Sequence, residues 1–271
     1  MVETISCFLT GGYTEAGYLQ HFFELINPKY RYIQRLPNKT VKKKGKEKAL
    51  CTSYSGLTGE ALIDEICHYL ESEKIRRDVE QSKAVIIEDD TDDRFAGMSR
   101  EEVKLYLREV QDRIHRLLSE PIPIIFILAC PEIESWFIAD WSNGFRSLFL
   151  DKKRMSEIEV GNRGLLEHSF HKYVKDELLA GEENPELYSE KNPYMKMSQC
   201  ICDALHYISI KPEEKIDNAS IKTICNIKES RQVYYSKKKD GALMVKRILP
   251  EVVAETCRMY FVDGYNELKA L

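Results

Sequence analysis

The sequence predicts an α/β fold: a mainly parallel sheet flanked by helices, followed by a mainly helical C-terminal half. Three observations carry that reading. Ala84–Ile87 and Pro123–Cys130 (PIIFILAC) are short, continuously apolar runs, the pattern of strands buried on both faces of a parallel sheet. Amphipathic helical patterns alternate with the strands, as crossover connections require. From about Phe145 onward the chain shows helical faces and polar loops, with no further buried strand.

Taken in order, Thr4–Thr10 (TISCFLT) reads as a strand ended by Gly11-Gly12. Residues 14–26 carry apolar side chains at 18, 19, 22, 23, 25 and 26, one face of a helix, and Asn27-Pro28 stops it. Tyr30–Leu36 is a second strand. Residues 37–56 are polar, with Lys42, Lys43, Lys44 and Lys46 around Gly45, and read as an exposed loop. Residues 57 to about 77 form one amphipathic helix with Leu62, Ile66, Tyr69 and Leu70 on its face. The third strand, Ala84–Ile87, ends abruptly in acid. Ser99–Leu118 is a long helix, with Ser99 and Glu102 spaced as a capping box. After the fourth strand, Glu132–Trp141 reads as a helix. The expected division is an α/β domain over residues 1–145 and a helical region over 146–271 packed on it. Helical faces after Ala242 are expected to break near Asp263-Gly264.

Composition narrows the function classes. Forty basic and 44 acidic residues in 271 give a net charge of −4, with 31% charged and 43% hydrophobic residues. That excludes disordered, collagenous and membrane-spanning classes. It also excludes a globally basic nucleic-acid coat, but not a local basic patch. No apolar stretch of about 18 residues occurs, and the first residues lack a signal-peptide pattern, so a cytoplasmic protein is expected. Eight cysteines are scattered, and Cys200 and Cys202 form C-x-C rather than the C-x₂-C of a zinc knuckle. Neither structural zinc nor a disulfide framework is expected. No P-loop is present, and Gly11-Gly12 with Gly17 is not a dinucleotide fingerprint.

The chemistry is expected where strands end. The first strand runs into Gly11-Gly12-Tyr13-Thr14-Glu15, the third into Glu88-Asp89-Asp90-Thr91-Asp92-Asp93, and the fourth toward Glu132-Ile133-Glu134. Five carboxylates in six residues repel one another beside a buried strand. A divalent cation relieves that repulsion, and Mg²⁺ takes one or two carboxylates plus water and phosphate oxygens. Glu88 and Asp90 suit one ion, and Asp92 a second. The competing account is a solvated acidic loop. Lys42, Lys43, Lys44 and Lys46, with Lys237 and Lys238 beside Tyr234 and Tyr235, are candidate phosphate and base contacts. They are expected to flank the acidic edge. His168 and His171 are read as surface histidines.

These motifs resemble the TOPRIM-like proteins, and more narrowly the small OLD-nuclease-like group of bacteria and archaea. That pattern is a strand then E-G-x-[ST]-[DE], an apolar strand then D-x-D, and E-[LI]-E-x-W-hh-x-D after a further strand. The matching residues are Gly12, Thr14 and Glu15; Glu88 and Asp90 with Asp92; and Glu132, Glu134, Trp136 and Asp140. Tyr235-x-Lys237 and Cys257-x-x-x-Phe261 extend the resemblance into the C-terminal half. It implies a Rossmann-like TOPRIM core and Mg²⁺- or Mn²⁺-dependent phosphodiester cleavage of DNA or RNA. Glu15, Glu88 and Asp90 would be catalytic; these three and Asp92 would hold metal, with Glu132 and Glu134 behind them. It further implies a separate ATPase chain as partner and a role in antiviral defence. Gly11 stands where the family carries a glutamate, and Glu88 replaces the first aspartate. The alternative is therefore a binding or regulatory module that kept the fold and lost the chemistry.

Overall fold

The structure, a computed structural model, describes residues 2–10, 18–44, 47–53, 56–150, 163–193, 195–210 and 235–271. Its strands are β1 (Thr4–Leu9), β2 (Arg31–Leu36), β3 (Asn38–Lys44), β4 (Glu47–Ser53), β5 (Ala84–Asp90) and β6 (Ile124–Ala129). Four of them form a parallel sheet in the order β2-β1-β5-β6. All four carboxyl ends therefore lie on one edge.

Helices cover both faces of this sheet. In chain order they are α1 (Leu19–Ile26), α2 (Gly59–Leu70), α3 (Glu73–Glu80), α4 (Arg100–His115), α5 (Glu134–Ala139) and α6 (Arg146–Leu150). Then come α7 (Arg163–Tyr173), α8 (Tyr188–Lys191), α9 (Met197–Ile210), α10 (Ala242–Val245), α11 (Pro250–Thr256) and α12 (Phe261–Ala270). Strand alternation sends Ile5, Cys7, Ile86 and Ile127 to one face, where they meet Phe22 and Phe23 of α1. The same cluster takes in Phe170, Ile201 and Phe261 from the C-terminal half. Phe8, Val85 and Ile87 point to the opposite face and meet Ile66 of α2 and Val110 of α4. The α1 crossover thus lies on one face and the α4 crossover on the other. The chain diverges between β1 and β5, the switch point where such sheets bind ligands.

Several elements differ from the sequence reading. Residues 37–56 are not simply a loop: β3 and β4 pair antiparallel, with Val41 opposite Leu50 and Lys44 opposite Glu47. A ladder is held by main-chain groups, so a lysine-rich segment lacking apolar alternation can still form one. The helix expected over 57–77 is two helices, because Ser72 turns extended (ψ 115°) as the N-cap of α3. The helix expected from Glu132 begins at Glu134. The capping box at Ser99 and Glu102 forms as the spacing predicts.

The third strand runs three residues further than its apolar core suggests. Glu88, Asp89 and Asp90 pair with Ile127, Leu128 and Ala129 of β6. The acids therefore begin inside the sheet, not after it.

No break occurs at Asp263-Gly264, where α12 is continuous. The glycine is there for packing. A Cβ on Gly264 would lie 1.9 Å from the Phe126 carbonyl oxygen. That carbonyl points away from β5, since Pro123 and Ala129 supply the carbonyls that bond toward it. Helix α12 thus runs against the outward side of β6, and Gln111 Nε2 reaches the Ile124 carbonyl there at 2.9 Å. The start of α12 is held by Glu186, which accepts the backbone N–H groups of Met259, Tyr260 and Phe261 at 2.6, 3.1 and 2.9 Å. No described helix is long and apolar enough to cross a membrane.

Candidate acidic site at the carboxyl edge

Thr10, just past β1, pins the switch point. Its N–H donates to Glu88 Oε2 at 3.1 Å, and its hydroxyl accepts the Asp90 N–H at 3.2 Å. Glu88 is fully buried and Asp90 partly so. Two residues apart on one strand, they project to the same face, the side occupied by α1 and the C-terminal half. Asp90 Oδ1 accepts the Ile133 N–H at 3.1 Å, which ties the end of β5 to the turn that starts α5.

Asp89 points the other way and does different work. It is buried, accepts the Gly59 N–H at 3.0 Å at the start of α2, and pairs with Arg94 Nη2 at 2.5 Å. Burial pushes its carboxyl above the usual range, and the Arg94 guanidinium pulls it back. Asp92 has φ of +47°, and its Oδ2 accepts from the Thr58 hydroxyl at 3.2 Å. The hydrogen bond of Asp92 runs to Thr58, at the N-cap of α2.

Glu132 and Glu134 converge on a lysine from the far end of the chain. Lys237 Nζ lies 3.1 Å from Glu132 Oε1 and 3.5 Å from Glu134 Oε1. Glu132 also accepts from the Ser198 N–H at 2.8 Å and the Ser198 hydroxyl at 3.1 Å, at the start of α9. Tyr235 is 2% exposed, and its hydroxyl donates to Glu134 Oε1 at 2.8 Å. Burial raises the Glu134 carboxyl above its ordinary value; Lys237 opposes the rise and Glu132 adds to it. Burial alone would lower the Lys237 ammonium, but Glu134, Glu132 and Asp90 outweigh it and hold it above its usual value. Glu134 Oε2 has no hydrogen-bond partner among the described residues.

The sequence-predicted residues are therefore only partly assembled. Glu88, Asp90, Glu132, Glu134 and Lys237 come to one side of one edge; Asp92 turns toward α2. Glu15, Gly11, Gly12, Thr14 and Lys46 lie outside the described residues. Lys42, Lys43 and Lys44 sit in β3. The hairpin leaves the carboxyl edge after β2 and returns to it where the Gly56 N–H bonds the Thr10 carbonyl at 2.8 Å. The backbone of Lys238 belongs to a π-helical turn over Lys237–Gly241. One expectation needs correction. Tyr235 is no base-stacking surface, because it is buried against Glu134 and stacks edge-on with Phe145. Asp140, matched through the resemblance, is a structural tie that accepts the Leu249 N–H at 2.8 Å ahead of α11. His168 is exposed, as read, while His171 stacks on Trp141 with centroids 4.2 Å apart.

Thr10, Ser198 and the pairing of Lys237 with Glu132 were not legible beforehand. Their partners lie 78, 66 and 105 residues away, and no local pattern signals such contacts. Among the described residues, cavities elsewhere include one of about 280 Å³ between α4 and α12 around Lys104, Arg108 and Glu267, and one of about 660 Å³ around Trp141, His171 and Arg258.

The donor chemistry suits a hard divalent cation. The acidic groups offer carboxylate oxygens, and buried Glu134 Oε2 has no hydrogen-bond partner among the described residues. Among the described residues no three His, Cys, Asp or Glu groups close on a common metal position. Mg²⁺ requires only one or two carboxylates and completes its shell with water or phosphate. No family model matches this chain, and no curated protein or solved structure does either.

Proposed function

We propose that this chain is a Mg²⁺- or Mn²⁺-dependent phosphodiesterase acting on nucleic acid, of TOPRIM type. The observation that supports it most is the placement of Glu88 and Asp90. They lie on one face of β5, at the switch point of a parallel sheet, with Thr10 bonded to both. A bound divalent ion would supply Lewis-acid stabilisation of phosphate charge and a water acidic enough to attack at neutral pH. Asp90 and Glu88 would hold that ion, with Glu15 beside them in the sequence pattern. The Ile133 N–H orients the Asp90 carboxylate, and the Thr10 hydroxyl accepts the Asp90 backbone N–H and so fixes the strand that carries it. The lysine hairpin β3–β4, rooted at the same edge, would meet the backbone of DNA or RNA. A separate ATPase partner and a role in antiviral defence belong to the same proposal, through the resemblance alone.

The test is incubation of plasmid, single-stranded DNA and RNA with Mn²⁺, beside Asp90→Ala. Cleavage by the wild type and none by the variant is the expected result. Equal cleavage by both would sink the reading.

A second reading has an observation of its own. Asp92 bonds Thr58, and Lys237 already neutralises part of the acidic edge. Both suit a module that binds nucleic acid or a partner without cutting, as Gly11 suggests. Activity appearing only in Gly11→Glu would favour it.

A further inference from the structure

Lys237 stands out because its ammonium, on a side chain 36% exposed, pairs with two buried carboxylates. It comes from a π-helical turn whose preceding residue, Ser236, accepts the Lys239 N–H through its side chain, while Asp240 Oδ2 accepts the Ser236 N–H at 2.6 Å. That turn is therefore held, and it aims Lys237 at Glu132 and Glu134. Asp90 adds to the negative field the ammonium feels. Two carboxylates thus contact one monovalent cation. The buried Glu134 Oε2 has no hydrogen-bond partner among the described residues, so one donor oxygen is left over beside the lysine.

We propose that the Lys237 ammonium is a built-in occupant of the cation position at this edge. It neutralises Glu132 and Glu134 while no metal is bound, is displaced when a divalent ion binds there, and then faces the phosphate backbone of the substrate. This rests on the metal-dependent reading above and adds an order to it: metal first, nucleic acid second.

The charges support an exchange rather than coexistence. A divalent ion a few ångströms from an ammonium is repelled even at the dielectric of water. A single lysine swings its head group on a four-carbon stem, so displacement needs no movement of the fold. The freed ammonium is then a point charge suited to a phosphate oxygen. Lys237 can thus be an internal counter-ion in one state and a nucleic-acid contact in the other.

The experiment is competitive amine labelling of the wild-type protein read by mass spectrometry, with and without Mg²⁺, using Lys191 as the internal standard. Lys191 pairs with a different carboxylate, Glu182, at 3.6 Å. Labelling of Lys237 is expected to rise several-fold with Mg²⁺ while Lys191 stays constant. In parallel, calorimetry is expected to give about tenfold tighter Mn²⁺ binding to Lys237→Met, which keeps the stem and removes the charge. If metal binds but Lys237 labelling is unchanged or falls, the displacement is wrong and the metal reading survives. If neither protein binds metal, both are wrong. The labelling experiment needs no variant, so a poorly folded Lys237→Met would not remove the test.

Discussion

The Tyr235 hydroxyl donates to Glu134 Oε1 at 2.8 Å across 101 residues of sequence. It joins the first turn of α5 to the segment that carries Lys237, while the second Glu134 oxygen has no hydrogen-bond partner among the described residues.

A pH prediction follows from that burial. The folded-state value of Glu134 is raised above its ordinary 4.5, chiefly by burial. A raised carboxyl contributes stability that is present below the unfolded value and lost as pH rises through the folded one. Glu134→Gln removes that loss. Its stability relative to wild type is therefore expected to improve as pH rises from about 4 toward neutrality. Urea denaturation of both proteins at several pH values checks the slope; a difference that is flat or runs the other way would show that Glu134 is not strained by its charge.

The two aspartates of the acidic run are expected to separate in assays. Asp90→Asn keeps an acceptor for the Ile133 N–H but removes the charge. It should cut metal-dependent cleavage at least about 100-fold, roughly 2.7 kcal/mol of barrier. Asp92→Asn, on a residue bonded to Thr58, should cost about tenfold or less, as second-layer changes do. Equal losses would place Asp92 in the metal shell after all.

Gly264→Ala tests the contact between α12 and β6. In an exposed helix the change would stabilise by about 1 kcal/mol. Here the added Cβ would meet the Phe126 carbonyl at 1.9 Å, and a loss of about 3 kcal/mol is expected from the forced shift. Thermal melting decides the sign.

Arg94→Met leaves Asp89 buried beside Gly59 without its guanidinium. Loss of one partner of a buried pair is expected to cost about 3 kcal/mol. Replacing both, Arg94→Met with Asp89→Leu, should recover part of it. A double variant as unstable as the sum of the singles would show that the pair is not coupled.

The fold was largely legible because its signals are local. Apolar runs at Ala84–Ile87 and Pro123–Cys130 gave the central strands, and Ser99 with Glu102 gave the start of α4. The hairpin β3–β4 was not, because its residues carry no apolar alternation to reveal main-chain pairing. Gly264 misled for a related reason: a glycine that permits close approach has the same letter as one that ends a helix. At the site, the strand-end rule located Glu88, Asp90 and the pair Glu132 and Glu134. It could not say that Asp89 serves Arg94, that Asp92 serves Thr58, or that Lys237 returns from the C-terminal half to meet the acids. Those are tertiary contacts, and one sequence carries no trace of them.

The seating of α12 on β6 has a consequence for solubility. Strand β6 is IIFILA, six apolar residues with no charge, glycine or proline, the composition that drives strands of different molecules to stack. Its outward carbonyls face Gly264 and Gln111 instead of a neighbour's backbone. The last helix is thus a guard against intermolecular sheet growth, held at its start by Glu186. A chain cut before Phe261 should not merely be less stable. It should leave an adhesive edge open and collect as β-rich aggregate, the failure that unprotected edge strands invite.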